Sequence, residues 1–399
     1  MMRRWVLATS CVALVACSDD EIESSAPPAS SIEVAAPATT TPVTTLAPVT
    51  TPAPVTTTTP ASSHDFSAVD PIVEAFVAEP GLNGAALVVV DRADGVIHED
   101  YWGEFDEDRI SLVASSSKMI TAGVLLRLAD DGLVDIDAPI ADVVEWGAGN
   151  PDVTVAQLLS NSSGLVGLLP DPGYGPYICQ FLAEGALQDC AATIFTTDGD
   201  DGDLIPPDTQ FRYGGAQWHV AGAVAEAVSG KPWAQLIDEI YVQPCGLDSL
   251  GYNNQFVQLA SGFEYPEAFD GDPSVLQATD NPNMEGGAYV TAGDYAKLLL
   301  MHLRGGKCGD TQVLSQDALD TMHADRVAAA YDGSGAAGTG YGMGWWIDRT
   351  IGRISDAGAY GSGPWLDLED GYGAYLVVES DAVTGNELAS LLYDIIEAE

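Results

Sequence analysis

Segments with the hydrophobic pattern of β-strands occur near both ends of the chain after residue 68, and helical patterns fill the region between them. GAALVVVD (84–91) and GVIHEDYWG (95–103) are separated by a short turn, and three more strand patterns follow residue 340: YGMGWWIDR, GPWLDLED and GYGAYLVVES. Consecutive strands joined by tight turns pair antiparallel. Helical patterns at residues 69–77 and in ELASLLYDIIEA enclose these strands. The predicted fold is therefore α+β: an antiparallel sheet flanked by the N- and C-terminal helices, with a large helical subdomain inserted.

The first 17 residues have the pattern of an export signal. Arg3 and Arg4 precede an apolar run that is too short to span a bilayer, and the run ends in LVAC, with Cys17 where a bacterial lipoprotein signal is cleaved and lipidated. We interpret residues 1–17 as a lipoprotein signal peptide, which predicts an exported protein anchored to the membrane at the cell envelope through Cys17. The alternative is an ordinary secretory signal in which Cys17 is incidental.

Residues 18–65 are rich in Thr, Pro, Ala and Ser, and the motif PVTT recurs at Pro42, Pro48 and Pro54. A segment of this composition cannot bury enough apolar surface to offset the entropy of ordering. We expect a disordered, solvated tether between the membrane and a folded domain at residues 66–399, which is long enough to form a large core. The alternative is a linker of no functional consequence.

The charge of the chain limits its partners. Asp and Glu number 59 against 14 Lys and Arg, and the formal net charge is −45. Such a chain would be repelled by nucleic acid and by anionic lipid surfaces, so we expect no nucleic-acid partner. The five histidines have no metal-ligand spacing, and DGDDGD (198–203) differs from a calcium loop because Gly202 occupies a ligand position. We expect neither a metal ion nor a cofactor, and we expect a monomer.

Four cysteines remain when Cys17 and Cys11 are assigned to the signal peptide. An even number in an exported domain indicates disulfides, and four cysteines allow three pairings. We favour one short local loop and one longer one, formed by Cys179 with Cys190 and by Cys245 with Cys308.

The stretch SLVASSSKMI (111–120) contains a candidate nucleophile. Ser115 and Lys118 are three residues apart and share one face of the helix predicted at KMITAGVLLRLADDG. The helix dipole and desolvation both lower the expected lysine pKa, and a neutral lysine can accept the serine proton. The alternative is a serine that only caps the helix, since S-x-x-K also occurs by chance.

Several landmarks accompany this pair: GAALVVVD before it, and then VTVAQLLSNSSGL, MEGGAYVTAGDYAKLLL and YGMGWW. With these, residues 68–399 resemble the serine β-lactamase and penicillin-binding superfamily, in particular the class C β-lactamases and the related bacterial esterases and D-aminopeptidases. The resemblance implies that Ser115 is the nucleophile and that Lys118 assists it, as the S-x-x-K motif does in that superfamily.

The second motif of the superfamily is usually Tyr-x-Asn, and FRYGGAQW places Tyr213 and Gly215 there. The resemblance implies that Tyr213 lies beside the Ser–Lys pair and relays protons. Gly215, a candidate substrate-binding position, replaces the asparagine, which implies one lost side-chain contact to substrate or lysine. The alternative for Tyr213 is an aromatic residue of the core or surface.

The third motif is usually Lys-Thr-Gly or His-x-Gly, and DAGAYGSGPW places Asp356 and Gly358 there as further substrate-binding candidates. The N–H groups of Ser115 and Ala359 would then form the oxyanion hole. Asp356 replaces a basic residue and is a poor host for the carboxylate of a penicillin or a D-Ala terminus. This substitution favours neutral esters or amides. The alternative is that Asp356 pairs with Arg353 or faces solvent.

These observations predict a serine hydrolase that works through an acyl-enzyme on a small ester or amide. DD-carboxypeptidase, D-aminopeptidase or β-lactamase activity is the alternative within the enzyme class, and a catalytically degenerate cell-surface binding module is the alternative outside it. The chain has no G-x-S-x-G nucleophile elbow. We assign His219 to packing rather than to catalysis.

Overall fold

The computed structural model of the protein describes residues 64–168, 174–198, 203–260, 264–327 and 338–399. The predicted signal peptide with Cys17, and all but the last two residues of the predicted tether, lie outside these residues. In the described part of the chain, none of the helices combines the length and the apolar character needed to cross a membrane.

The strands of the described residues pair antiparallel throughout. In chain order they are β1 (Gly84–Asp91), β2 (Gly95–Gly103), β3 (Ile110–Leu112), β4 (Gly251–Tyr252), β5 (Ala288–Thr291), β6 (Lys307–Cys308), β7 (Thr311–Gln312), β8 (Thr339–Tyr341), β9 (Trp346–Asp348), β10 (Ile354–Ser355), β11 (Ser362–Asp367) and β12 (Tyr372–Val377). Seven of them form the main sheet in the order β2-β1-β12-β11-β10-β9-β8, and β3-β5-β4 form a small second sheet.

The α-helices cover both faces of the main sheet. In chain order they are α1 (Val69–Val77), α2 (Lys118–Asp130), α3 (Val155–Leu159), α4 (Leu187–Thr196), α5 (Ala216–Ser229), α6 (Trp233–Ile237), α7 (Gln243–Cys245), α8 (Phe256–Ala260), α9 (Ala292–Leu303), α10 (Gln316–His323) and α11 (Ala382–Glu397). A π-helix, Asp238–Val242, joins α6 to α7.

Strand β1 is buried on both faces, which explains its nearly continuous apolar sequence. Leu87 and Val89 pack with the terminal helices α1 and α11, whereas Val88 and Val90 belong to the larger core around α2, α5 and α9. This alternation follows from the period of two along a strand. The predicted α+β fold, with the first and last helices together on one face of an antiparallel sheet, is confirmed.

The last part of the sheet differs from the three strands that the sequence predicts. The pattern YGMGWWIDR does not form one strand, because the chain bends between β8 and β9. Gly344 has φ of +83° in this bend, and Gly342 N donates to Trp345 O at 2.8 Å. Helices α4 and α10 and the small sheet were also not predicted.

Both favoured disulfides are present. Cys179 and Cys190 join a 3-10 helix to α4, and Cys245 and Cys308 join α7 to β6. The second bridge joins cysteines 63 positions apart and connects the helical subdomain to β6, the short strand that follows α9.

Candidate active site

A tight turn after strand β3 presents Ser115. Ala114 has a left-handed backbone conformation with φ of 43°, and a 3-10 helix, Ala114–Ser117, then continues into α2. Ser117 Oγ donates to Ala114 O at 2.6 Å and accepts from Ala288 N at 3.0 Å, so the turn is fixed to strand β5. Backbone strain of about 1–3 kcal/mol at such a residue is typical of functional sites. The turn leaves Ser115 partly exposed at the start of a helix.

The structure brings Ser115 and Lys118 together. Lys118 Nζ donates to Ser115 Oγ at 3.0 Å, and the lysine side chain has 0% of its surface exposed. The ammonium also donates to the main-chain oxygen of Glu285 at 3.0 Å and lies 3.6 Å from Oε2 of the same residue. The lysine is therefore held between the nucleophile and one acidic residue.

Tyr213 also lies within hydrogen-bond distance of Ser115. Its hydroxyl donates to Ser115 Oγ at 3.0 Å, and Lys118 Nζ lies 4.7 Å from the centre of its ring. The loop that carries it is fixed because Arg212 N donates to Asn161 O at 2.7 Å. The ring also packs among aromatic side chains: Phe211, Tyr341 and Trp346. Ser115 Oγ thus has two groups within hydrogen-bond distance that can exchange protons with it.

The segment after β10 lies directly against the turn that carries the nucleophile. Ser116 Oγ donates to Asp356 O at 2.6 Å, and Ser362 Oγ donates to Val113 O at 2.7 Å. At Gly358, an added Cβ would lie 2.1 Å from Val113 O. Only glycine permits this close approach.

The two N–H groups predicted to form the oxyanion hole belong to these two adjoining segments. Neither Ser115 N nor Ala359 N donates a hydrogen bond to an acceptor in the described part of the chain. Both donors are thus available for a ligand, as an oxyanion hole requires. The assignment of this role stays a prediction.

The Asp356 side chain is fully buried and does not line an open surface. Both carboxyl oxygens lack a hydrogen-bond partner among the described residues. Arg353 pairs instead with Glu397 and stacks on Tyr393, so the alternative in which Asp356 pairs with Arg353 or faces solvent is wrong. Burial raises the pKa of the Asp356 carboxyl well above its ordinary value, although Lys118 acts in the opposite direction.

The resting charges of the site differ from the sequence-based expectation. Burial disfavours the charge of Lys118, but its acidic neighbours, among which the Glu285 carboxylate lies 3.6 Å from Nζ, hold the pKa of Lys118 above its ordinary value. The expected lowering of this pKa is wrong, because the acidic neighbours come from distant parts of the chain. Burial also raises the pKa of Tyr213, against the effect of Lys118. Both shifts favour the protonated form, an ammonium at Lys118 and a neutral phenol at Tyr213.

Residues 69–393 match the sequence model of the Beta-lactamase family. The chain belongs to this family. Its members are serine hydrolases. Ser115 and Lys118 of the first motif and Tyr213 of the second motif lie together in one site. The resemblance inferred from the sequence landmarks is confirmed.

Relatives of this chain include a penicillin-binding protein and an esterase. Penicillin-binding protein 4 of Amycolatopsis lactamdurans is 27% identical over 343 residues, covering 81% of this chain and 86% of the relative. Esterase EstB of Burkholderia gladioli is 26% identical over 262 residues, covering 56% of this chain and 64% of the esterase.

Solved structures share the fold of this family member. EstCE1, a hydrolase with promiscuous acyltransferase activity, has a TM-score of 0.68 at 20% identity and covers 83% of this chain and 97% of its own. The octameric penicillin-binding protein homologue from Pyrococcus abyssi has a TM-score of 0.63 at 19% identity and covers 84% of this chain and 78% of its own. The predicted β-lactamase/transpeptidase-like fold is confirmed.

One residue of the site was missed from the sequence. Glu285 contacts Lys118, and its carboxylate lies against Gly215, which stands where the family pattern has asparagine. The available signal was an acidic residue directly before a glycine pair in the landmark MEGGAYV. That signal does not specify a partner, because Glu285 and Lys118 are 167 positions apart.

The remaining candidates lie elsewhere. His219 is fully buried in α5, and its Nε2 is 2.9 Å from Asn281 Oδ1, which confirms its assignment to packing. Residues 199–202 of the acidic stretch lie outside the described residues. Within the described ranges, His, Cys, Asp and Glu side chains form no group of three or more able to hold a metal ion.

Proposed function

We propose that this protein hydrolyses small neutral esters or amides through an acyl-enzyme formed on Ser115. The observation that carries the proposal is the position of Ser115 Oγ, which is 3.0 Å from both Lys118 Nζ and Tyr213 OH and is partly exposed. A serine hydroxyl is a weak nucleophile unless neighbouring groups accept its proton. This arrangement supplies two such groups.

In the proposed reaction, Ser115 Oγ forms a bond to the substrate carbonyl carbon as its proton passes to the Lys118–Tyr213 pair. The N–H groups of Ser115 and Ala359 stabilise the oxyanion. The bond to the alcohol or amine then breaks, and the leaving group receives the proton. Water adds to the acyl-enzyme, the acid leaves, and Ser115 recovers its proton. Taking the proton of Ser115 or of water needs Lys118 or Tyr213 in its deprotonated form, which the raised pKa values disfavour, whereas giving a proton to the leaving group or to Ser115 needs the protonated form.

The surroundings of Ser115 favour neutral substrates. The Lys118 ammonium is fully buried and already paired, and Asp356, a buried acid, stands where the family pattern usually has a basic residue. Partly exposed aromatic side chains border the turn: Phe256 and Ala114 both adjoin Gly286, and Phe181 and Tyr360 pack against Phe256. These rings offer apolar surface to an acyl or alcohol group.

A second candidate function is DD-carboxypeptidase, D-aminopeptidase or β-lactamase activity. The similarity to Penicillin-binding protein 4 over 81% of the chain favours it. Hydrolysis of nitrocefin measured beside hydrolysis of p-nitrophenyl butyrate separates the two functions, since a β-lactam carries the carboxylate that the site accommodates poorly.

The decisive variant is Ser115→Ala. We expect it to abolish hydrolysis of p-nitrophenyl butyrate and covalent labelling by a fluorophosphonate probe, because the nucleophilic oxygen is removed. Mass spectrometry of the labelled wild-type peptide distinguishes Ser115 from Ser116 and Ser117, and an unchanged melting temperature controls for folding. Full labelling of the variant would place the nucleophile elsewhere. A folded wild type that reacts with no ester, β-lactam or phosphonate would identify a binding module instead.

We also propose that the protein is exported and held at the membrane by a lipid on Cys17. The support is the sequence pattern that ends at Cys17 and the two disulfides, which are typical of proteins in an oxidising compartment.

A further inference from the structure

The space left by the missing asparagine side chain at position 215 is occupied. A Cβ added to Gly215 would lie 2.1 Å from Glu285 Oε1 and 2.3 Å from Glu285 Cδ. It would also lie 2.4 Å from Gln180 Oε1, a buried oxygen with no partner in the described part of the chain. Since real Cβ atoms do not approach other atoms so closely, the carboxylate of Glu285 takes the volume of a side chain at position 215.

The loop before β5 fixes this carboxylate. Glu285 N and Gly286 N donate to Asn283 Oδ1 at 3.1 and 2.8 Å, and Gly287 N donates to Asn283 O at 2.9 Å. Asn283 N in turn donates to Asn253 O at 2.9 Å. Glu285 is only 6% exposed, so its position is set by the loop rather than by solvent.

Glu285 contacts Lys118 in two ways. Its main-chain oxygen accepts from Lys118 Nζ at 3.0 Å, and its Oε2 lies 3.6 Å from the same nitrogen. The third contact of the ammonium is Ser115 Oγ. A carboxylate at this position both orients the lysine and stabilises its charge, which a neutral amide does not do.

We propose that Glu285 is a positioning residue that replaces, from the opposite side of the site, the side chain absent at Gly215. The two positions form one unit: the glycine makes room for the carboxylate, and the carboxylate holds Lys118 against Ser115. The proposal rests on the hydrolase function proposed above. It adds a residue outside the three motifs that orients Lys118 and stabilises its charge.

The first test exchanges the two positions. Gly215→Asn alone displaces Glu285, and Glu285→Ala alone removes it, so each variant loses kcat/KM for p-nitrophenyl butyrate by about tenfold to a hundredfold. In Gly215→Asn/Glu285→Ala the asparagine has room to approach Lys118, and kcat/KM recovers by about tenfold over the worse single variant. If the losses of kcat/KM in the two single variants combine without any recovery in the double variant, the proposal would be overturned.

The second test keeps the shape and removes the charge. Glu285→Gln destabilises the charged form of Lys118, so the limb of the pH profile of kcat that reports this lysine moves to lower pH by about 1 unit. Glu387→Gln, an exposed substitution on α11, changes the net charge equally and leaves the profile in place. A Glu285→Gln profile that coincides with that of the wild type would also overturn the proposal.

Failure of this proposal can be told apart from failure of the hydrolase function. If wild type labels with fluorophosphonate at Ser115 but the variants react like wild type, only the role of Glu285 is wrong. If wild type does not label, the hydrolase function is wrong. The denaturation midpoints of the wild type, the two single variants and the double variant of the first test still measure the coupling between positions 215 and 285. A double variant more stable than Gly215→Asn supports the shared space, and one less stable than both single variants contradicts it.

Discussion

Asp356 is a carboxyl group in surroundings that favour its neutral form. It is fully buried, and its oxygens have no hydrogen-bond partner in the described residues, although Lys118 is close enough to affect it. Burial without hydrogen bonds disfavours a charged carboxylate strongly. The pKa of Asp356 is therefore raised well above its ordinary value. The position directly after β10, which carries a basic residue in the family pattern, here carries an acid that prefers to keep its proton.

Asp356→Asn should stabilise the protein increasingly as pH rises. The pKa of Asp356 is about 3.8 in the unfolded chain and is raised in the folded protein. Its contribution to the free energy of unfolding is therefore fully present below pH 3.8 and is lost as the pH rises through the folded pKa. Asparagine cannot ionise. The difference in unfolding free energy between variant and wild type should therefore grow by about 1.4 kcal/mol per pH unit within this window. Urea denaturation at a series of pH values above about 4 measures this difference.

The matched control for this experiment is Asp394→Asn, an exposed substitution on α11. It should leave the pH dependence of stability as in the wild type. If the free energies of unfolding of Asp356→Asn and wild type differ by the same amount at every pH, the pKa of this carboxyl group is not raised in the folded protein.

The two disulfides close loops of very different length along the chain. Cys179 and Cys190 are 11 positions apart, whereas Cys245 and Cys308 are 63 apart and connect α7 to the short strand β6. Closing a longer loop removes more entropy from the unfolded chain. The longer bridge therefore has the greater influence on the helical subdomain.

Cys245→Ser/Cys308→Ser should reduce the free energy of unfolding more than Cys179→Ser/Cys190→Ser. Chain-entropy estimates are about 4 kcal/mol for the longer loop and about 3 kcal/mol for the shorter one. Urea denaturation of both double variants beside the oxidised wild type measures the difference. Equal losses, or a greater loss for the shorter loop, would mean that contacts around the cysteines outweigh loop entropy.

The protein as a whole carries a formal charge of −45, which bears on how it can remain at a membrane. Anionic lipid surfaces repel such a chain, but screening limits this repulsion to about 10 Å at moderate salt. A lipid on Cys17, followed by the predicted tether of residues 18–65, would let the acidic domain lie beyond that distance. Membrane attachment and high negative charge are then compatible.

Cys17→Ser should release the protein from the membrane fraction of the producing bacterium. The lipid is attached through this thiol, and the described part of the chain has no helix able to span a bilayer. Fractionation and detergent phase partitioning detect the change. Cys11→Ser, in the apolar run of the signal, is the matched control and should remain with the membrane. Retention of Cys17→Ser in the membrane fraction would contradict the proposed anchor.

Features that depend on neighbouring residues could be predicted from the chain before its fold was known. β1, β2, α1 and α11 follow from hydrophobic periodicity, which acts over a few residues. The 3.0 Å contact between Ser115 and Lys118 follows from the three-residue spacing at the start of a helix. The place of Tyr213 came from resemblance to the family.

Features that depend on distant residues required the folded chain. The small sheet β3-β5-β4 consists of strands of two to four residues, too short for a periodic signal. The contact of Glu285 with Lys118, 167 positions away, and with Gly215, and the burial of Asp356, arise where segments distant in the chain approach one another. These contacts reverse the expected direction of the Lys118 pKa, because the acidic neighbours outweigh desolvation. The candidate pair of Ser115 and Lys118 could thus be named from local spacing, while the protonation of Lys118 depends on charges that only long-range packing brings together.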